Sequence, residues 1–287
     1  MKSAIAILIL VVIAVGCIDN RDPRYNKTYF NNPASVGPNV NQNHGNAPIQ
    51  ITSYTKQIKP PNSKLTIASW NLKRYGPSKA NDSDLVSYYA TNINAYDIVI
   101  VQEITDKYGD AFKKLESKVK NHSSYLSPRV GTVNYSEQYG VFYRNANLTN
   151  ITMLNISGIE RAPLMLKFAS KNWTFNVITL HTRPEHAQDE IKALSDNVSW
   201  MSQDTIIIGD LNAGCDYYKP ESDFGNWTWM INDTEDTTSG PTSCPYDRII
   251  VNDMARDNYL SYFIMRNVDS TESDHYLISA TFNTSKP

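Results

Sequence analysis

The feature that most constrains the fold is a series of short apolar runs that recurs from Leu65 onward. Ile98–Val101 and Thr205–Ile208 are almost wholly apolar, which is typical of strands covered on both faces. Between the runs, helical spacing predicts helices over 83–94, over 106–118 and after Pro184. Strands outnumber helices, so we expect an α/β fold in which mixed sheets carry helices on their outer faces.

The N-terminus has the pattern of a secretory signal peptide over residues 1–16. Lys2 precedes an apolar run of about a dozen residues, shorter than the ~20 that span a bilayer. Small residues stand directly before Cys17, as a lipoprotein signal peptidase requires, so we expect a lipid on Cys17 that anchors the protein to a membrane. The alternative is an ordinary signal peptide, or an uncleaved anchor, with an incidental cysteine. In either case the chain leaves the cytoplasm.

Residues 17–63 are rich in Asn and Pro and keep neither strand nor helix periodicity. We therefore expect a flexible stalk there, followed by a single catalytic domain over residues 64–287. The chain carries 27 basic and 29 acidic residues, and its net charge of −2 excludes a strongly basic nucleic-acid coat protein. A local basic face remains compatible with that charge, so a nuclease is not excluded.

Asn-X-Ser/Thr sequons are unusually frequent in this sequence. There are twelve of them, where the content of Asn, Ser and Thr predicts about five. This excess favours an N-glycosylated surface or secreted protein over simple Asn richness. The sequon asparagines are Asn26, Asn81, Asn121, Asn134, Asn147, Asn150, Asn155, Asn172, Asn197, Asn226, Asn232 and Asn283.

Chemically active side chains stand at the ends of the apolar runs. They are Asn71, Glu103, His181, Asp210, Asn212, Asp247, Asp274 and His275. Each alone is an ordinary turn or surface residue, but rigid strand ends can direct a whole set into one pocket. Carboxylates, amides and two imidazoles suit hydrolysis of a phosphate ester with Mg²⁺, or Mn²⁺ or Ca²⁺, as the cofactor. The sequence lacks the His-Glu-X-X-His and Gly-X-Ser-X-Gly motifs of zinc peptidases and serine hydrolases.

The order of these segments resembles the endonuclease/exonuclease/phosphatase superfamily, and more narrowly its deoxyribonuclease I branch. The segments are Ile67–Asn71, Ile98–Glu103, Asn134–Tyr139, Thr179–Pro184, Gly209–Cys215, Cys244–Ile249 and Ser273–His275. The resemblance covers about residues 65–282 and implies a four-layer sandwich of two packed mixed β-sheets flanked by helices. It also implies that Glu137 orients His181 and that Asp247 orients His275, so that the two imidazoles act as general acid and base.

The same resemblance implies a cation site and a phosphate site. Glu103 would be the main Mg²⁺ ligand, assisted by Asn71 or Asp274. Asp210 and Asn212 would hold the scissile phosphate or a second cation.

Contacts to DNA and a disulfide follow from the resemblance as well. Lys73, Tyr135 and Arg161 match positions that touch the DNA backbone or minor groove. Cys215 and Cys244 match the family's structural disulfide, and their pairing leaves the third cysteine of the chain for the lipid.

Two departures from the family pattern bear on function. The family has an arginine that reaches the minor groove two residues after the metal-binding glutamate, and this chain has Thr105 there. We therefore expect weaker DNA affinity or altered site preference. A small second disulfide near 156–160 is also absent, which puts the calcium requirement in doubt.

The sequence favours an extracytoplasmic, Mg²⁺-dependent endonuclease that cuts double-stranded DNA with low sequence specificity. A phosphodiesterase of the same superfamily that acts on lipid or inositol phosphates, such as sphingomyelin, is the first alternative; the His181-Thr182-X-Pro184 motif and the cysteines argue against it. A surface binding module without catalysis is the second alternative. We expect a monomer with no obligate protein partner.

Overall fold

The computed structural model describes residues 63–133, 135–220 and 223–285. The predicted signal peptide, Cys17 and nearly all of the predicted stalk lie outside these residues. Among the described helices, none combines the length and the apolar character that a membrane span needs.

The described residues form two six-stranded sheets with helices. The first sheet has the strand order β11-β12-β1-β2-β4-β3, and its strands are β1 Lys64–Tyr75, β2 Ile98–Ile104, β3 Ser123–Leu126, β4 Gln138–Tyr143, β11 Tyr259–Met265 and β12 Leu277–Asn283. The second has the order β5-β6-β7-β8-β10-β9, and its strands are β5 Asn147–Met153, β6 Leu164–Ser170, β7 Trp173–Thr179, β8 Thr205–Asp210, β9 Thr228–Trp229 and β10 Asp247–Val251. The helices are α1 Pro77–Asn81, α2 Ser83–Ile93, α3 Asp110–Glu116, α4 Ala187–Val198 and α5 Asp253–Arg256, with a 3₁₀ turn over Pro184–His186.

The apolar runs explain how these layers stack. In β8, Ile206 and Ile208 belong to the central core between the sheets, whereas Ile207 belongs to the outer core that includes Ile191 and Leu194 of α4. The first sheet divides its side chains in the same way between the central core and a second outer core against the helices α1 to α3. A strand buried on both faces needs apolar residues at consecutive positions. The predicted four-layer sandwich of two mixed sheets flanked by helices is therefore confirmed.

The helix predicted over 106–118 is shorter than expected. The carboxylate of Asp106 accepts the backbone N–H groups of Tyr108 at 3.2 Å and Ala111 at 2.9 Å. These hydrogen bonds stabilise a turn, instead of a helix, at the start of the predicted range. Gly109 then takes the left-handed conformation with φ 74°, and α3 starts at Asp110. The helix predicted after Pro184 likewise begins as a 3₁₀ turn and becomes α-helical at Ala187.

Strand directions bring the ends of both sheets to one edge. In the first sheet β1 runs parallel to β2, and in the second β7 runs parallel to β8. The strand β10 is antiparallel to β8, with Asp247 directly opposite Asp210. Within the first sheet the C-terminal ends of β1 and β2 therefore lie beside the start of β12, and within the second sheet the ends of β7 and β8 lie beside the start of β10.

Candidate active site

The first histidine of the site is held by a buried carboxylate. His181, just beyond the end of β7, places Nδ1 2.9 Å from both carboxylate oxygens of Glu137. The two side chains are almost fully buried, and Arg161 places Nε 3.2 Å from Glu137 Oε2. Burial disfavours the charged imidazole, but the charges of Glu137 and Asp210 outweigh it and raise the pKa of His181 to about 9.

A second histidine–carboxylate pair comes from the opposite side. His275, in the segment before β12, places Nδ1 2.8 Å from Asp247 Oδ2 at the start of β10. The hydroxyl of Thr237 accepts the Asp247 backbone N–H at 2.9 Å, and Trp70 Nε1 donates to the His275 carbonyl at 3.0 Å. Burial again opposes the charged imidazole, but the carboxylates of Asp210 and Asp247 raise the pKa of His275 well above its usual range.

The two pairs converge on Asp210, at the end of β8. Its Oδ2 lies 3.5 Å from His181 Nε2 and 3.4 Å from His275 Nε2. Burial opposes ionisation of Asp210, but the two imidazoles and an Asn71 hydrogen bond outweigh it and lower the pKa of this carboxyl. Two imidazoles, each with its own carboxylate, thus face one shared acidic group across the site.

The predicted cation ligands form a second group beside Asp210. The Asn71 amide nitrogen donates to Glu103 Oε1 at 2.8 Å and to Asp210 Oδ2 at 3.0 Å. Its amide oxygen accepts the Lys73 backbone N–H at 2.9 Å, which fixes the orientation of the amide. Asn71 therefore bridges two carboxylates here, and its nitrogen rather than its oxygen faces them.

The donor atoms suit a hard divalent cation. Glu103 and Asp210 offer carboxylate oxygens on either side of the Asn71 amide, and Mg²⁺ takes such ligands. Atoms of Asp210, Asp247 and His275 also lie within 4.8 Å of one another, but the latter two are already bonded together. We therefore favour Glu103 with Asp210 as the residues that would hold the ion. Asp274, the third predicted ligand, is half-exposed, with Oδ2 3.4 Å from Lys73 Nζ.

The backbone around these ligands is locally strained. Lys73, Arg74, Glu103 and Asn212 all have positive φ angles, between 46° and 60°. Such angles are uncommon for residues other than glycine and cluster at functional sites. At Asn212 the backbone N–H donates to Asp210 Oδ1 at 3.1 Å, and the side-chain amide donates to the Thr182 carbonyl at 3.1 Å.

The three residues predicted to contact DNA differ in their exposure to solvent. Tyr135 is 67% exposed, and Lys73 is half-exposed beside Asp274. Arg161 is only 8% exposed and packs against Glu137. It nevertheless lines a cavity of about 400 Å³ that also contains His181 and Glu103.

Sequence reasoning missed the residue that joins the two sheets at this edge. Gln102, buried in β2, donates from Nε2 to the Leu180 carbonyl at 2.9 Å and accepts the Asp210 backbone N–H at 3.0 Å. A Cβ at Gly209 would lie 2.7 Å from this amide nitrogen, so the glycine makes room for the contact. In the sequence, the only indication of this role was an amide residue at the end of an apolar run, directly before Glu103.

Two further residues join the segments that carry Asn71 and His275. Ser273 Oγ donates to the Asn71 carbonyl at 2.6 Å. Lys79 Nζ donates to the carbonyls of Leu72 at 2.8 Å and Glu272 at 2.6 Å. Burial lowers the pKa of Lys79 to about 8. Nothing in the local sequence pattern pointed to this role for Lys79.

The structure contains the Cys215–Cys244 disulfide, with a Cα–Cα distance of 5.8 Å. Cys215 follows the segment of Asp210 and Asn212, and Cys244 precedes Asp247. The disulfide therefore joins the two chain segments that flank the acidic centre of the site.

We expect the double variant Cys215→Ala, Cys244→Ala to have an unfolding free energy about 3–4 kcal/mol lower than the wild type, from the entropy of a loop of about 30 residues. Urea denaturation followed by circular dichroism measures the change. Reducing the wild-type protein with dithiothreitol is the matched control and should give a similar shift. An unchanged urea midpoint in both samples would contradict the prediction.

A two-sheet sandwich with paired histidines and carboxylates at one edge defines a class of phosphate-ester hydrolases. Comparison with known proteins places the chain in the same class. Residues 68–275 match the Endonuclease/Exonuclease/phosphatase family, and the chain belongs to this family. Deoxyribonuclease-1 of Homo sapiens is 32% identical over 216 residues, which cover 65% of this chain and 77% of that protein. The Rattus norvegicus protein is 29% identical over 262 residues, covering 76% and 91%. Within the family, the chain is therefore a deoxyribonuclease I-like member.

Solved structures share the fold at lower identity. Humanized D. rerio TDP2 has a TM-score of 0.60 at 15% identity, covering 77% of this chain and 100% of that chain. A Bacteroides thetaiotaomicron mannosyl-6-phosphatase has a TM-score of 0.56 at 15% identity, covering 75% and 98%. The architecture therefore occurs in proteins with different names, and the argument for function has to rest on the site.

Proposed function

We propose that this chain is an extracytoplasmic, divalent-metal-dependent endonuclease that hydrolyses phosphodiester bonds of double-stranded DNA with low sequence specificity. The observation that carries the proposal is the convergence of two carboxylate-held imidazoles on Asp210, at 3.5 and 3.4 Å. Hydrolysis of a diester needs a group that takes a proton from water and a group that gives one to the leaving oxygen. His181 and His275 supply these two groups.

The residues around the imidazoles have the remaining roles in the proposed reaction. Glu137 and Asp247 fix the Nδ1 side of each ring by hydrogen bonds of 2.9 and 2.8 Å, so each Nε2 is free to exchange protons. Asp210 and Asn212 position the scissile phosphate, Asp210 through the cation because its own carboxylate is negatively charged. Glu103 and Asp210, bridged by Asn71, would hold this cation. When bound, Mg²⁺ neutralises the charge that accumulates on the phosphate oxygens.

The expected lack of sequence specificity follows from the kind of groups that surround this site. Lys73 and Arg161 carry positive charge that attracts phosphates, and Tyr135 presents an exposed ring in the cavity that Arg161 lines. Phosphate contacts give affinity but carry no direct information on base sequence. Base preference then comes from the width and flexibility of the duplex.

The proposed location outside the cytoplasm rests on two kinds of observation. A structural disulfide is favoured in an oxidising compartment. Among the described residues, the sequon asparagine Asn283 is half-buried and every other one is exposed, so sugars can reach them. We propose that the protein is N-glycosylated and held at the cell surface by a lipid on Cys17, or secreted.

The test is a nicking assay with the purified full-length chain and supercoiled plasmid. We expect nicked circles to form with Mg²⁺ and to disappear when EDTA removes the ion. A parallel assay on sphingomyelin vesicles should give no product. Cleavage of sphingomyelin but not plasmid would establish the lipid phosphodiesterase instead. Plasmid binding without nicking, across pH 5–9 and with Mg²⁺, Mn²⁺ and Ca²⁺, would indicate a binding module.

A further inference from the structure

The cavity of about 400 Å³ beside His181 is lined by three arginines: Arg74, Arg129 and Arg161. Two carboxylates, Glu103 and Glu137, line it as well. A cavity with three guanidinium groups beside a hydrolytic centre is suited to an anion, because guanidinium groups bind phosphate in a fixed planar geometry.

The two carboxylates of the cavity already have partners. Glu137 binds His181 at 2.9 Å and lies 3.2 Å from Arg161. Glu103 accepts the Asn71 amide and the Arg74 backbone N–H, both at 2.8 Å. Within the described residues, neither carboxylate forms a direct ion pair with the side chain of Arg129 or Arg74.

Arg129 is held in place entirely by neutral oxygens. Its Nη1 donates to the Thr105 carbonyl at 3.2 Å, and its Nε and Nη2 donate to Ser136 Oγ at 3.1 and 2.6 Å. Nη2 also donates to the Ser136 carbonyl at 2.6 Å. Within the part of the chain that the structure describes, no carboxylate forms an ion pair with Arg129. Its guanidinium is thus positioned by the fold without a carboxylate bonded to it, and the charge of nearby Asp106 acts on it without a direct contact.

Arg161 adds an independent sign of a missing anion. It is 8% exposed, and its Nε faces Glu137 Oε2 at 3.2 Å, whereas its Nη1 lacks a hydrogen-bond partner within the described residues. A buried N–H group without a partner costs free energy, so such a group is retained where a ligand completes it. The cavity therefore combines the fixed guanidinium of Arg129 with a buried guanidinium, that of Arg161, which is incompletely bonded.

We propose that Arg129, with Arg74 and Arg161, binds a second backbone phosphate of the substrate, next to the phosphate that is cleaved. Arg129 is bonded to the carbonyl of Thr105, the residue that stands where the resemblance leads us to expect an arginine, and it brings a positive charge to this part of the cavity from a different segment of the chain. This inference rests on the proposed nuclease function and names the groups that select a polynucleotide over a small phosphate diester.

A contact to a second phosphate has a specific kinetic signature. A substrate with several phosphates should use Arg129, whereas bis(p-nitrophenyl) phosphate has only one phosphate and should not. For Arg129→Gln we expect the KM for a duplex oligonucleotide to rise about tenfold, the loss typical of one charge-assisted hydrogen bond. The slope of log binding constant against log salt should decrease in magnitude by about 1. Hydrolysis of bis(p-nitrophenyl) phosphate should stay within about twofold of the wild type, since its single phosphate lies beside His181 and leaves the position next to Arg129 empty.

The experiment uses the full chain in three variants. Arg129→Gln removes the charge, and Arg129→Lys keeps the charge but loses the planar set of donors that holds Ser136. Arg256→Gln, in α5 beyond the far end of β10, removes one exposed positive charge away from the cavity and is the matched control. Duplex binding is measured in EDTA by fluorescence anisotropy, and kinetics are measured on both substrates.

The proposal is supported if Arg129→Gln weakens duplex binding and reduces the salt slope, while Arg129→Lys retains most of the slope and the control behaves as the wild type. Equal losses on both substrates in both Arg129 variants would show a purely structural role and overturn the proposal. So would unchanged duplex binding and KM. If the wild type binds duplex but cuts neither substrate, the proposed nuclease function fails, and the binding measurements still decide the role of Arg129.

Discussion

His181→Ala and His275→Ala are each expected to lower the rate of DNA hydrolysis by about 10²–10⁴-fold, the range for loss of one general acid or base. Each imidazole lies within 3.5 Å of Asp210 and has its own buried carboxylate, so neither can take over the position of the other. The measurement is kcat on supercoiled plasmid at saturating DNA and Mg²⁺.

The matched control for both variants is His186→Ala. His186 is an exposed histidine in the 3₁₀ turn after β7, five positions from His181, and its removal should leave kcat within about twofold of the wild type. Circular dichroism and thermal melts would verify that the variants fold. Near-wild-type rates in either site variant would show that the acid and base are assigned to the wrong residues.

Asp210→Asn is expected to reduce kcat by about 10²–10³-fold, the typical cost of removing a preorganised electrostatic group. The substitution keeps the size of the side chain but removes the negative charge that both imidazoles face. That charge contributes to the raised pKa of His181, about 9, and of His275. Without the charge, both imidazoles should lose their protons at lower pH, so the alkaline limb of the pH–rate profile should move toward lower pH.

The pH–rate profile of the Asp210→Asn variant is measured against that of Asp196→Asn. Asp196 is an exposed carboxylate that pairs with Lys192 on α4 at 3.0 Å, so its loss should change neither the rate nor the profile. A profile for Asp210→Asn that coincides with the wild type would mean that Asp210 does not set the charge of the histidines.

The buried parts of the fold were predictable because their sequence has to be apolar on both faces. Ile98–Val101 and Thr205–Ile208 became central strands for this reason. The edge strands β3 and β5 were not predicted, because many of their side chains face solvent and no apolar run forms there.

Some residues of the site could likewise be predicted and others could not. The resemblance to a known family paired Glu137 with His181 and Asp247 with His275, and the structure places both pairs in contact. Sequence patterns could not reveal Gln102 or Arg129, because their partners at the site lie far away in the chain or in neighbouring loops. Such contacts are set by the packing of the sheets, which no local periodicity records.

The site is divided between the two sheets, and this has a consequence for the tolerance of the sequence to change. Asn71 and Glu103 lie in strands of the first sheet and His275 directly precedes β12, whereas Asp210 lies in β8 of the second sheet and His181 follows β7. The spacing between these two groups is set by the apolar side chains of the central core, which are close-packed and transmit strain. Substitutions in that core are therefore expected to change the catalytic geometry as well as the stability of the fold.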